Sequence, residues 1–247
     1  MGSKMETVIS YALLTGFSLL IGAIAAFVFN FRQKVVAAIM AFGAGALICA
    51  LTFGLMEEAF RHGGFDAIVF GFLLGGITFI AGDFWIHRVG GRSHRRHQIV
   101  KSEKETSGQV IALGTILDGI PESIALGVTL LNPKGIGLIM VSAIFLSNIP
   151  EAISSTNGFM KEGISKRQAF LIWFIVATAV TLTTIASFVF LKDLKPNTLG
   201  AIESFAAGAI LAMLADSMMP EAYEEGGLAI GLLTLFGFLT TFILSKL

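Results

Sequence analysis

The chain has 247 residues, 55% of them hydrophobic and only 14% charged, with a mean hydropathy of +0.82. A soluble globular domain carries about 25% charged residues, and a disordered one combines low hydrophobicity with high charge, so the composition excludes both. Seventeen Lys and Arg balance 17 Asp and Glu, which leaves no net field to draw nucleic acid or an acidic partner. Cys49 is the single cysteine, so neither an internal disulfide nor a cysteine-based metal cluster can form.

A helix crosses a bilayer with about 20 mainly apolar residues, because its backbone polar groups must be satisfied within the segment. Eight stretches qualify: Val8–Phe31, Val35–Met56, Ala67–Ile86, Val110–Leu131, Ile136–Thr156, Ala169–Leu191, Leu199–Met219 and Leu228–Leu244. The first contains Ala23-Ile24-Ala25, but its apolar run continues to Phe31, so it reads as a span and not as a removed signal peptide. The stretches are too long and too continuously apolar for the alternation of a membrane barrel. The expected fold is therefore an all-α integral membrane protein of eight transmembrane helices in one transmembrane domain, 1–247. Alternate connections divide the 17 Lys and Arg unevenly, with eleven on the side of the Arg88–Lys104 connection. The positive-inside rule then places that connection in the cytoplasm and both termini outside.

The second and seventh spans repeat at a constant offset of 163 residues. Phe42 to Gly64 reads FGAGALICALTFGLMEEAFRHGG and Phe205 to Gly227 reads FAAGAILAMLADSMMPEAYEEGG, with ten of 23 positions identical. Apolar composition alone does not align Glu58 with Glu221 or the closing Gly-Gly pairs. The expected repeats are spans one to three, 8–86, and spans six to eight, 169–244, inverted because five spans separate their starts. They flank a connection at 87–109 and a central helix pair at 110–156. Inverted repeats around a midplane site on interrupted helices are a secondary-transporter plan.

The central pair carries matching motifs, Leu117-Asp118-Gly119-Ile120-Pro121-Glu122-Ser123 and Leu146-Ser147-Asn148-Ile149-Pro150-Glu151-Ala152. Each proline lacks a donor and frees the carbonyl four residues earlier, on Leu117 and Leu146. Asp118 and Glu122 are spaced i, i+4 on one face, as are Ser147 and Glu151, with Asn148 near that face. If the two spans pack together, Asp118, Glu122, Ser147, Asn148 and Glu151 make an oxygen-rich cluster. An ionised side chain at the centre of a span costs about 3 kcal/mol on insertion scales, and the spans offer no Lys or Arg at that depth, so a cation is the simplest compensation. Neutral carboxyls bonding neighbouring helices are the plainer alternative.

Asp216 lies inside the seventh span and is a further candidate ligand, although its repeat partner is Phe53. Asp83, near the end of the third span where its side chain can reach water, is another of the same standing. Glu57, Glu58, Glu221, Glu224 and Glu225 fall at span ends, where Glu58 and Glu221 could line two entrances. The connection after the third span holds His87, His94 and His97 among six Lys and Arg, which reads as a topology-setting basic segment in preference to a metal site.

At these motifs the sequence resembles the ZIP (ZRT/IRT-like) family of divalent metal transporters. The likeness covers nearly the whole chain: eight spans, a longer cytoplasmic connection after the third, proline motifs in spans four and five, and the GAG…MEEA and AAG…MMPEA segments. The family's fourth-span motif is His-Asn-x-Pro-Glu-Gly; here Pro121 and Glu122 match, Asp118 stands in place of the metal-binding histidine, and Gly119 in place of an asparagine. The fifth-span motif matches through Ser147, Asn148, Pro150 and Glu151, whereas the sixth span has no acidic residue. The resemblance implies a site of Asp118, Glu122 and Glu151 helped by Ser147 or Asn148, metal ions such as zinc, manganese or iron as cargo with no resident cofactor, import toward the cytoplasm, and a prokaryotic cell membrane as the location. Oxygen-only ligation suits harder ions better than an imidazole site does. Glycine-rich faces allow a homodimer. A proton or monovalent-cation pathway and a member that has lost transport are the alternatives; an intramembrane aspartate enzyme using Asp118 and Asp216 lacks its Gly-x-Gly-Asp and Tyr-Asp signatures.

The charge bias yields a topology test. A cysteine introduced at Ser93 in a Cys49→Ser background is expected to react with a membrane-impermeant maleimide only after permeabilisation, and labelling of intact cells would reverse the orientation.

Overall fold

In the computed structural model, residues 2–89, 108–132 and 136–246 are described, and all the regular structure among them is helical. The basic segment with His94 and His97 lies outside the described residues, as does Lys134. The helices are α1 (Gly2–Val28), α2 (Gln33–Ala50), α3 (Met56–Val89), α4 (Gly108–Thr129), α5 (Ile136–Lys161), α6 (Lys166–Leu191), α7 (Pro196–Met213), α8 (Met219–Gly226) and α9 (Ala229–Leu244). Among the described residues, five helical stretches are long and apolar enough to cross a membrane: Lys4–Val28, Gln33–Ile86, Gly137–Lys161, Lys166–Leu191 and Pro196–Gly226.

Local chemistry sets the boundaries. Ser165 caps α6 through a capping box, its hydroxyl accepting from the Gln168 amide while the Gln168 side chain accepts from the Ser165 N–H, which satisfies two donors that a helix start leaves open. Pro196 opens α7, where its missing N–H has no partner to lose. Pro121 and Pro150 stand inside α4 and α5.

Two departures from the sequence expectation bear on function. The segment expected to connect the second and third spans is largely helical, so that Gln33 to Ile86 forms one run of 54 residues made of more than one helix. It is interrupted by a π-helical turn at Leu51–Leu55 and by Gly64, whose φ of 66° breaks the helical path. α7 runs through a second π-helical turn, Leu214–Met218, into α8, which ends at Gly227 with φ 67°. Glycine adopts this left-handed φ without the Cβ penalty other residues carry. Polar residues at 57–66 suggest a loop, yet the chain there is helical except at Gly64.

The helices sort by partner. α3 packs along α7, and α2 along α9 and α8; α1 packs on α5 and α6, and α4 on α6; the sets meet where α2 touches α5 and α4 touches α7. Alanines at 41, 44, 46, 206, 207 and 209 are buried in the main core, and small residues of this kind let membrane helices approach closely. Approach is closest at two glycine crossings. A Cβ on Gly208 would overlap the carbonyl oxygen of Phe72 and one on Gly75 that of Phe205, where α3 crosses α7; Gly45 faces the carbonyl of Thr234, and Gly237 that of Phe42, where α2 crosses α9. Around α1 the ties are polar: Thr181 Oγ1 donates to the Ala12 carbonyl at 3.2 Å, Asn148 Nδ2 to the Thr15 carbonyl at 3.2 Å, and Lys166 Nζ to the Phe27 carbonyl at 2.9 Å. Trp173 Nε1 donates to Thr156 Oγ1 at 2.7 Å between α6 and α5.

The crossings set a packing test with an internal control. Gly208→Ala is expected to force α3 and α7 apart at a cost of about 1–3 kcal/mol, lowering the thermal midpoint of detergent-purified protein by roughly 5–10 °C. Gly231→Ala, with nothing within 4 Å of the added atom, leaves it unchanged.

Candidate metal-transit site

The two proline motifs come together within the bundle. Glu122 is 3% exposed, and its Oε1 is buried with no hydrogen-bond partner. Asp118, one helical turn away, acts electrostatically on both Glu122 and Glu151, and the remaining charges that act on Glu151 are Glu122 and Glu221. Among the described residues, every charge that acts on these two glutamates is thus another carboxylate. At insertion costs of about 3 kcal/mol each, several ionised carboxylates in one low-dielectric region amount to on the order of 10 kcal/mol, as much as the whole stability of an ordinary domain. The arrangement is one that a cation relieves.

The polar neighbours divide into positioned and available groups. Asn148 is 3% exposed, and its amide nitrogen donates to the Thr15 carbonyl and, at 3.0 Å, to Ser18 Oγ of α1. Bonds of this kind between membrane helices are worth about 0.6 kcal/mol each, too little to hold the bundle but enough to fix the side chain's direction. Ser147 Oγ donates to the Ile144 carbonyl at 3.0 Å, and Ser123 Oγ donates to the Gly119 carbonyl at 2.6 Å. Gly119 faces Val180 of α6, whose Cγ2 a Cβ there would crowd at 2.8 Å; a bulkier side chain at this position has no room in the present packing.

Asp118, Glu122 and Glu151 are brought into one electrostatic neighbourhood, with Ser147 and Asn148 on the adjoining turn of α5. Asp216 sits on the exposed side of the π-helical turn and is not among the charges acting on Glu122 or Glu151. As placed, no three His, Cys, Asp or Glu side chains among the described residues converge on one ion. The carboxylates surround a region without closing on a point.

Two groups here escape the sequence reading. Glu221, which the sequence suggests only as an entrance residue, is the fourth carboxylate of the group and accepts a hydrogen bond from Ser154 Oγ of α5. Its signal is a third Pro-Glu pair, Pro220-Glu221, beside Pro121-Glu122 and Pro150-Glu151. Thr15 and Ser18, which orient Asn148, carry no motif. Two turns beyond Glu151, a cavity of about 350 Å³ opens between the α1–α2 connection and α5, lined by Asn30, Gln33, Asn157 and Lys161 among others.

Comparison with known proteins meets this geometry. A family model described as ZIP zinc transporter matches residues 87–245. A protein of Arabidopsis thaliana named as a candidate zinc transporter is 25% identical over 186 residues, covering 74% of this chain and 29% of the relative. The chain therefore spans under a third of the length of this curated relative. Since the family match takes in both Pro-Glu helices and everything after them, well over half of the chain, the chain belongs to the ZIP zinc transporter family.

Proposed function

We propose that this protein moves divalent metal cations across a membrane by alternating access, with Asp118, Glu122 and Glu151 as the transit site and Ser147 and Asn148 as auxiliary oxygen donors. The observation that carries this reading is the company of Glu151: Asp118, Glu122 and Glu221, all acidic, on two helices whose prolines also free the Leu117 and Leu146 carbonyls. The family supports metal ions as cargo; transport toward the cytoplasm is the direction this reading takes from the resemblance alone.

The architecture fits an eight-span inverted repeat. The 163-residue offset that aligns Glu58 with Glu221 also aligns the π-helical turns, 51–55 with 214–218, and the positive-φ glycines, Gly64 with Gly227. Exchanging the halves turns the α1–α5 contact into α6–α4 and the α2–α9 crossing into α7–α3. In this reading α4 and α5, which carry Asp118, Glu122 and Glu151, move against a scaffold supplied by the repeats, whose α3–α7 and α2–α9 crossings bring backbone against backbone. In this reading the cavity beside Asn157 and Lys161 is the cytoplasmic mouth, and Asp216, on its exposed turn, lies beside the path without being a ligand of the transit site.

Three outcomes are expected in proteoliposomes. Glu122→Gln and Glu151→Gln each reduce uptake of radioactive manganese or zinc by more than about tenfold, the scale on which metal sites respond to lost ligation, while Asp216→Asn retains it; proton flux without metal uptake would replace the proposal with a relay. Uptake falls as pH is lowered, because carboxylates must shed protons to bind metal. Manganese competes with zinc more effectively than it does against a relative with histidine at the Asp118 position; zinc preference beyond the ordinary affinity order would contradict oxygen-only ligation.

A further inference from the structure

A second buried group of ionisable side chains stands where α3 meets α7. Glu203 of α7 is 1% exposed, and Glu58 of α3 is 2% exposed. His62 Nδ1 lies 2.9 Å from Glu203 Oε2, and Glu58 acts electrostatically on both His62 and Glu203. Glu58 and His62 are i, i+4 and share a helix face. One carboxylate oxygen of Glu58 accepts from the Asn132 amide just beyond α4, and the other, also buried, has no hydrogen-bond partner. Arg61 is turned to the surface, where it pairs with Glu57 at 2.5 Å.

Arg61 also acts on Glu58 from the surface, but among the described residues the charges of the three side chains do not balance by themselves. A protonated His62 offsets one carboxylate and leaves the other with an unfilled oxygen in a buried setting, a costly state for a polar atom. A cation taken between the three side chains removes both deficits. The donor set of one imidazole and two carboxylates is that of transition-metal ions, and an i, i+4 pair on one helix face is a spacing from which two side chains reach the same ion. Ten residues of α4 and its C-terminal turn separate Glu122 from Asn132, about 15 Å at helical rise, so this location is distinct from the transit group. As placed, the three side chains do not yet close on a point; the step required is rotation of Glu58 away from Asn132.

We propose that Glu58, His62 and Glu203 form a second divalent-cation site, of transition-metal type. Filling it breaks the Glu58–Asn132 bond and so releases the end of α4 whose middle turns carry Asp118 and Glu122. That release would act on transport only if the proposed function holds; binding at the site does not depend on it.

The test uses the full chain in detergent, carrying Glu122→Gln and Glu151→Gln and with His87, His94 and His97 replaced by alanine, so that neither the transit group nor the basic segment contributes. Zinc is the probe. The expected result is a single equivalent bound, with imidazole in its coordination shell by X-ray absorption, and binding weakened more than about tenfold by His62→Gln or Glu203→Gln. His62→Gln keeps a donor for Glu203 and so separates lost ligation from lost packing. The protein without site variants supplies a readout that does not depend on their folding: zinc is expected to protect His62 from diethylpyrocarbonate. Absence of zinc binding in this background, undiminished binding in both variants, or unprotected His62 would overturn the proposal. Failure of uptake by the unaltered protein would overturn the transport reading instead and leave this one standing.

Discussion

The constraint on which the rest of this structure turns is the burial of like charges. Carboxylates at 118, 122 and 151 repel one another inside the bundle, with the exposed Glu221 adding to the repulsion on Glu151, and a bundle of apolar helices would gain by discarding them. That the fold keeps them facing a common region assigns the surrounding helices their tasks. α1 fixes the direction of Asn148, α6 leaves room only for glycine at 119, and the proline in each central helix trades a backbone bond for an exposed carbonyl. Each of these features lies beside the carboxylates of the central helix pair.

The frame around that region is built on another principle. Where α3 crosses α7 and α2 crosses α9, backbone meets backbone at Gly75, Gly208, Gly45 and Gly237 with no side chain between. Such contacts have no rotamers to exchange and little freedom to slide. The contacts of α1 with α5 and α6 include single hydrogen bonds, which re-form more readily than interlocked backbones. Backbones also approach closely outside that frame, where a Cβ on Gly22 of α1 would meet the Ile149 carbonyl oxygen of α5 and one on Gly127 of α4 that of Thr184 of α6, so the two sets differ in their added polar ties and not in how nearly their backbones touch.

Much of this is legible in the sequence because membranes simplify the code. Apolar length reports helices, and the Asp118-to-Glu122 and Ser147-to-Glu151 spacings report a shared face. The duplication is visible because Glu58 and Glu221 cannot be aligned by apolar composition alone. Features that depend on three dimensions are not visible. His62 finds Glu203 across 141 residues with no pattern joining them, and Asn148 finds Thr15 and Ser18 on a helix without a motif. The helicity within residues 57–66 was obscured because polar side chains there resemble a loop. The π-helical turns leave no composition signal, since Leu51–Leu55 and Leu214–Met218 share little beyond their position in the repeat.

Those turns carry one more consequence. A π-helical turn holds an extra residue in the helical path, which rotates everything after it by about 100° relative to an unbroken α-helix. In each copy, a glycine at a close helix crossing precedes the turn, and a glutamate that hydrogen-bonds either Ser154 of α5 or Asn132 just beyond α4 follows it. The turn is therefore a phase shifter: it lets one helix present its first half to a fixed neighbour and its second half to a mobile one. A single-residue deletion at either turn would leave the span long enough to cross the bilayer and apolar enough to remain there, yet would point Glu58 or Glu221 at the wrong partner.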